Sequence, residues 1–245
     1  MIRHLDLFSG IGGFALAARM VGGVETVGFC EIDPWARRVL AKNFPGVPAH
    51  DDVTTLKGIE YGTVDLITGG YPCQPFSTAG QRRGAADDRH LWPEMRRIIN
   101  QARPRYVLAE NVAGHVTMGF DAVLSEMEGD GYACGAVVIP AVAVDAPHRR
   151  DRVWIMGHAN RQRLDRCIGA GLTTRSRAAT PAGPLHAGHP SCRTTPRRKW
   201  APEPRVGRVA NGVPNRTHRL RGLGNAIVPQ VAAELLRVML HSKDV

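Results

Sequence analysis

The stretch Asp6-Leu-Phe-Ser-Gly-Ile-Gly-Gly-Phe14 (DLFSGIGGF, 6–14) decides the fold. A β-like run, HLDLF (4–8), ends at Gly10, Gly12 and Gly13, and an apolar helical pattern follows over about 12–21. Glycines at a strand-to-helix turn let the backbone approach a cofactor closely. The next strand, ETVGFCE (25–31), ends at Glu31, 21 residues after Gly10. A carboxylate there can accept both ribose hydroxyl protons of an adenosine group. Asp52, after the following helix, is placed to accept from the adenine amino group. The glycines do not follow G-x-G-x-x-G, which disfavours a nicotinamide dinucleotide. They point to an adenosine-bearing cofactor, with a simple tight turn as the alternative.

Outward from this unit, short β-like runs alternate with helical patterns. Asp33-Pro34 opens a helix, with Asp as N-cap and Pro in the first turn. VDLITGG (64–70) and YVLAEN (106–111) read as strands, and Leu91 to Ala102 as a helix. Phe120, Val123, Leu124 and Met127 fall on one helix face within 118–130. YACGAVVIP (132–140) and RVWIMG (152–157) are further strands. Val231, Leu235, Leu236 and Met239 suit a C-terminal amphipathic helix. The order implies an α/β fold, a mainly parallel sheet with helices on both faces. From about His158 to Pro204 the pattern gives way to Gly, Pro, Thr and Arg, which suits a small irregular lobe.

The chain has 245 residues, enough for one large domain with a small appendage. It has no run of about 18 apolar residues to span a membrane, and its N-terminus lacks a secretory pattern. Five cysteines (Cys30, Cys73, Cys134, Cys167, Cys192) do not form a disulfide framework, so a reducing cytosol is expected. The net charge is +10, and 28 of the 32 basic residues are Arg. Residues 146–221 hold 17 basic and 3 acidic residues, against 15 and 19 elsewhere. Positive charge gathered in one segment is the footprint of a polyanion partner, the alternative being a merely soluble basic stretch.

Three further segments carry chemistry. In GGYPCQPFSTAG (69–80), Cys73 stands between Pro72 and Pro75 at the carboxyl end of a strand, where α/β sheets bind ligands. A thiolate there could be a nucleophile, or the residue could be a structural cysteine in a turn. Glu110 ends the strand of AENVAG (109–114) and could be an acid of raised pKa or a cap for the next helix. In HRRDRVW (148–154), Arg150 and Arg152 are read as alternating along an entering strand and projecting to one side. They suit an oxygen and a carboxylate in one pocket, or a solvated basic edge.

DLFSGIGGF, the PCQ at 72–74, the ENV at 110–112, Arg150-x-Arg152 and GNAIVP (224–229) occur in this order. The set resembles the DNA cytosine-5 methyltransferases, particularly the compact bacterial and phage type, over residues 3–157 and 205–241. The resemblance implies a Rossmann-like S-adenosyl-L-methionine-dependent methyltransferase. It implies that Cys73 attacks cytosine C6, Glu110 serves N3, Arg152 holds O2 and Arg150 braces Glu110 and its loop. Phe8, Gly10, Ile11, Gly12, Gly13, Glu31, Ile32, Asp52, Val53, Pro72 and Asn225 are implied to form the cofactor pocket. The target base must be flipped out of the duplex. The implied organisation is a catalytic domain (1–157), a small basic target-recognition lobe (158–210) and a C-terminal segment packing back (211–245).

Double-stranded DNA is the implied partner, with no membrane and no obligate protein partner, for a monomer acting in the bacterial cytosol. Two features depart from the family. His148 stands where Gln is usual, and the motif supporting the recognition region survives only as a fragment around RVGRVANGVPNR (205–216). An RNA cytosine-5 methyltransferase and a silent DNA-binding homologue are the rival readings; PCQ and the intact Cys73, Glu110, Arg150 and Arg152 set speak against them. Cys167, His186, His189 and Cys192 have ligand-like spacing but lack two proper ligand pairs, so no metal is expected.

Overall fold

Seven strands form one sheet in the order β3-β2-β1-β4-β5-β7-β6. The structure, a computed structural model, describes residues 1–72, 91–113, 120–159 and 216–241. The strands are β1 (Ile2–Leu7), β2 (Val24–Cys30), β3 (Ala49–His50), β4 (Leu66–Gly69), β5 (Tyr106–Val112), β6 (Ala133–Ile139) and β7 (Arg152–His158). Between and after them run α1 (Gly13–Val21), α2 (Pro34–Asn43), α3 (Trp92–Ala102), α4 (Phe120–Gly129), α5 (Arg216–Asn225) and α6 (Pro229–His241). Strands β1 to β5 pair in parallel; β7 pairs antiparallel with both β5 and β6. This is the mainly parallel sheet expected from the sequence.

The parallel pairing puts the carboxyl ends of β1, β2, β4 and β5 on one edge. Order along the sheet reverses between β1 and β4, the position where α/β sheets bind ligands. The reversed direction of β7 brings its first residue, Arg152, to that same edge opposite Val112.

Alternating side chains divide the core between the two faces. Leu5, Leu7, Ile67, Val107 and Ala109 pack with α3 and α4 on one side. Leu66, Tyr106, Leu108 and Trp154 pack with α1 and α6 on the other. On the α4 stripe Phe120, Val123 and Met127 are buried and Leu124 partly so, and on α6 Val231, Leu235, Leu236 and Met239 are buried against α1 and the sheet. Each buried side chain of this kind contributes roughly 1.5–3 kcal/mol, enough to hold the C-terminal helix against the first. Asp33 caps α2 by accepting from the Trp35 N–H at 2.8 Å, with Pro34 in the first turn.

Four features depart from what the sequence predicts. Helix α5 lies between the motif segments at 205–216 and 224–229, where the sequence pattern predicts no helix, and β3, two residues long, is too short for a periodic signal. Strand β7 begins at Arg152, so Arg150 precedes it, at φ +39, and does not alternate with Arg152 along one strand. Finally, Thr217–Leu240 is apolar enough to cross a membrane by length and composition, with mean hydropathy 1.3. The helix is interrupted at 226–228, and α6 is buried against the sheet, so core packing accounts for its apolarity. Cys73, the recognition lobe beyond residue 159, and Cys167, His186, His189 and Cys192 lie outside the described residues.

Candidate active site

The loop after β1 is held by its neighbours before any ligand is considered. Phe8, Gly10 and Gly12 all have positive φ, at 51°, 54° and 87°. The Ser9 N–H donates to Cys30 O at 3.0 Å and its hydroxyl to Asp6 O at 2.6 Å, pinning the loop to the ends of β1 and β2. Gly12 and Gly13 leave no room for a side chain. A Cβ on Gly12 would stand 2.6 Å from the Phe44 ring, and one on Gly13 2.6 Å from Ile227.

Glu31 joins two turns. Its Oε2 accepts from the Gly10 N–H at 2.7 Å and its Oε1 from the Asp33 N–H at 2.8 Å. Each carboxylate oxygen keeps further lone-pair capacity, which suits the acceptance of ribose hydroxyl protons. Arg37 clamps the same turn, donating to Glu31 O at 2.8 Å and Ile32 O at 2.9 Å. The Ile32 side chain beside it is 74% exposed, an uncovered apolar surface. Asp52 accepts from the Thr54 N–H and hydroxyl, which hold its carboxyl below the usual range. Val53 is buried. Arg97 of α3 fixes this segment by donating to Val53 O at 2.8 Å and Leu56 O at 3.0 Å. Pro72 and Asn225 are both exposed. The Glu31 oxygens, the uncovered Ile32 and the glycine turn fit an adenosine-bearing cofactor.

At the neighbouring end of β5 stands Glu110, only 8% exposed. It shares a sheet face with Trp154 and Arg152, and the Arg152 Nε donates to its Oε1 at 2.7 Å. Burial raises the Glu110 pKa, opposed by the charges of Arg152 and then Arg150. Desolvation and the two cations thus act on this carboxyl in opposite directions. Arg150 is anchored differently from the expectation. Its Nη2 donates to Gly224 O at 2.8 Å and Ala226 O at 2.6 Å, gripping the turn that carries Asn225. Its turn conformation at φ +39 directs the guanidinium there, and the direct partner of Glu110 is Arg152.

Residues leading towards Cys73 are fixed beside this pair. Asn111 Nδ2 donates to Tyr71 O at 3.1 Å, and the Tyr71 ring packs on Trp92 at 5.3 Å. A Cβ on Gly70 would lie 3.3 Å from Glu110 Oε2, so the chain entering the Pro72–Gln74 tripeptide passes against the carboxyl. Cys30, by contrast, is buried, and its thiol is pushed up to about 12 by that burial. It is an unreactive core residue.

Sequence reading missed the supports: Arg37, Arg97, Asn111 and a buried polar chain beneath the loop. In that chain His4 Nδ1 is 3.0 Å from Thr26 Oγ1 and His4 Nε2 is 2.7 Å from Thr68 Oγ1. The Thr68 hydroxyl donates to Asp6 Oδ1 at 2.9 Å. The signal is His4 and Asp6, two apart and so on one face of β1. Among the described residues, Asp6 Oδ2 is buried without a partner.

The strand order and a glycine loop facing a carboxylate define the class as a Rossmann-like methyltransferase fold. The sequence model of the C-5 cytosine-specific DNA methylase family matches residues 2–187, and the chain belongs to that family. Its relatives include the type II methyltransferase M.HgiCII of Herpetosiphon aurantiacus, 34% identical over 163 residues, covering 63% of this chain and 37% of the relative. M2.BsuMI of Bacillus subtilis is 35% identical over 167 residues, covering 63% and 41%. This chain therefore matches less than half the length of these curated relatives. An E. coli prophage protein assigned as a DNA modification methyltransferase superposes with TM-score 0.55 at 28% identity, covering 64% of this chain and 47% of that one. The S. pombe Dnmt2 methyltransferase superposes with TM-score 0.58 at 21% identity, covering 72% and 57%, a likeness of fold.

Proposed function

We propose that this protein methylates C5 of a flipped-out cytosine in duplex DNA, through a covalent bond between Cys73 and C6. The observation that carries the reading is the Arg152–Glu110 pair, set beside the segment that enters Pro72-Cys73-Gln74. When bound, S-adenosyl-L-methionine supplies the methyl group as an electrophile.

Cytosine C5 is a poor nucleophile because the ring is electron-deficient. Attack of the Cys73 thiolate on C6 forms an S–C6 bond and moves the C5–C6 π pair towards C5. Glu110 donates a hydrogen bond to N3, which prevents negative charge from accumulating on the ring. Burial raises the Glu110 pKa, the direction this role calls for. Arg152 uses Nε on Glu110 and Nη1 on Asp151 O, at 2.9 Å, and turns its remaining N–H groups to the cytosine O2. Arg150 ties the Asn225 turn to the entrance of β7. Once C5 carries the methyl group, its proton passes to a water, the freed pair re-forms the C5=C6 double bond, and the S–C6 bond breaks to release Cys73 as a thiolate.

Glu31, Asp52 and the Gly10–Gly13 loop orient the cofactor, with Phe8, Ile11, Ile32, Val53, Pro72 and Asn225 around it. The 158–210 segment acts as a small target-recognition lobe, reading few base edges and depending on phosphate contacts. The protein acts as a monomer in the bacterial cytosol, where its substrate lies. The test is transfer of labelled methyl groups to duplex DNA, with 5-methylcytosine identified by mass spectrometry after digestion. Label on DNA supports the reading; label on RNA alone overturns it.

A further inference from the structure

Helices α2 and α5 line an open groove of about 570 Å³. Its lining includes Trp35, Arg38, Val39 and Lys42, which recur at i, i+3, i+4 and i+7 and so form one stripe of α2. Arg219 and Leu223 of α5 form the facing wall, and Ile11 of the glycine loop closes one end. The Trp35 and His218 rings stack across the helices at 6.0 Å and 18°. Gly222 permits the close approach: a Cβ there would stand 2.8 Å from the Trp35 ring.

The charge of this groove is one-sided. The sequence of α2, PWARRVLAKN, has three cations and no acid, and that of α5, RTHRLRGLGN, has three Arg and no acid. Outside residues 146–221 the chain carries more acidic than basic residues, so the cations on α2 run against their surroundings. Arg38 and Lys42, four residues apart, are separated by about 6 Å along the helix, close to the spacing of successive phosphates on one strand. Arg219 faces them from the opposite wall. The apolar side chains of Ile11, Val39 and Leu223 beside the cations Arg38, Lys42 and Arg219 suit a sugar–phosphate backbone, which offers both charge and carbon surface.

We infer that the α2–α5 groove is an accessory site for the phosphodiester backbone of DNA outside the target cytosine. The inference rests on the reading of DNA as substrate. Backbone held here anchors the duplex while the recognition lobe and the Glu110 site engage the base.

The test uses the full chain with Arg38→Gln, Lys42→Gln and Arg219→Gln combined, and a fluorescent duplex extending well beyond one site. Affinity is measured across salt concentrations, together with adenosylmethionine binding and methyl-transfer kinetics. Each neutralised phosphate contact lowers the slope of log K against log salt by about 0.9. The expected result is a slope shallower by about two to three units, a raised KM for DNA, and kcat and cofactor binding retained. An unchanged slope and KM in a variant that still methylates DNA overturn the inference and leave the function intact. A wild-type protein that neither binds nor methylates DNA overturns both. If the triple variant does not fold, the single reversal Arg38→Glu is compared with Lys57→Glu, at an exposed site away from the groove. A loss of DNA affinity confined to Arg38→Glu supports the inference, and equal effects contradict it.

Discussion

Arg152 Nε lies 2.7 Å from Glu110 Oε1, and the pair is formed by an antiparallel strand delivering its first residue to the edge where a parallel strand ends. Removing one member leaves the other without this contact. Glu110→Gln is expected to keep the fold and adenosylmethionine binding while lowering kcat by about 10²–10⁴-fold, the usual contribution of a positioned acid. Retained kcat would remove Glu110 from the chemistry.

The same pair fixes a pH response. Burial raises the Glu110 pKa and the charge of Arg152 opposes it. An acid that must be protonated loses activity as pH rises through its pKa. Arg152→Ala removes the opposing charge, so the alkaline limb of kcat/KM is expected to move to higher pH, alongside a lower maximum. A limb that stays in place or moves to lower pH would separate it from Glu110.

Glu31 holds the Gly10 and Asp33 N–H groups together. Glu31→Ala leaves both donors without that acceptor and deletes the ribose partner. A cofactor Kd raised by about 10–100-fold follows from a loss of roughly 1–3 kcal/mol. Calorimetric titration with adenosylmethionine checks this, and an unchanged Kd would move the cofactor elsewhere.

His4 makes stability depend on pH. It is fully buried, and desolvation lowers its pKa from 6.5 to about 3. The folded state therefore holds His4 neutral, and its contribution is complete above the unfolded pKa. It is lost as pH falls from about 6.5 towards 3. Thermal melts across that window are expected to show a steeper loss for the wild type than for His4→Leu. Parallel curves would mean that His4 takes up no proton on unfolding.

The glycine loop separates two costs. Gly10→Ala meets no atom within 4 Å but must hold φ +54, at a cost of about 1–2 kcal/mol. Gly12→Ala adds a collision with Phe44 and Leu40 to its φ of +87. Denaturant melts should rank Gly12→Ala as the less stable, and the opposite order would contradict the packing described.

Much of the sheet is legible in the sequence because its strands are bounded by glycine turns and its helices by periodic apolar faces. The Phe120, Val123, Met127 stripe and the Val231, Leu235, Leu236, Met239 stripe are read correctly because burial enforces the period. Helix α5 is not legible, since RTHRLRGLGN has no apolar stripe and owes its place to Gly222 packing on Trp35. The Glu110–Arg152 contact is suggested by charge, but its geometry depends on the antiparallel register of β7. Arg150 misleads because a turn at positive φ carries no periodic mark. Arg37 and Arg97 look like ordinary surface cations until the carbonyls they bind are seen.

The central claim is a covalent bond from Cys73 to cytosine C6, and a mechanism-based trap tests it most directly. Wild-type protein and Cys73→Ser are incubated with adenosylmethionine and a duplex containing 5-fluorocytosine, then resolved on a denaturing gel. Fluorine at C5 cannot leave as a proton does, so a working enzyme stays attached to the DNA. A shifted band is expected with the wild type and none with Cys73→Ser. No band from folded, cofactor-bound wild type, or a band that survives Cys73→Ser, would contradict it.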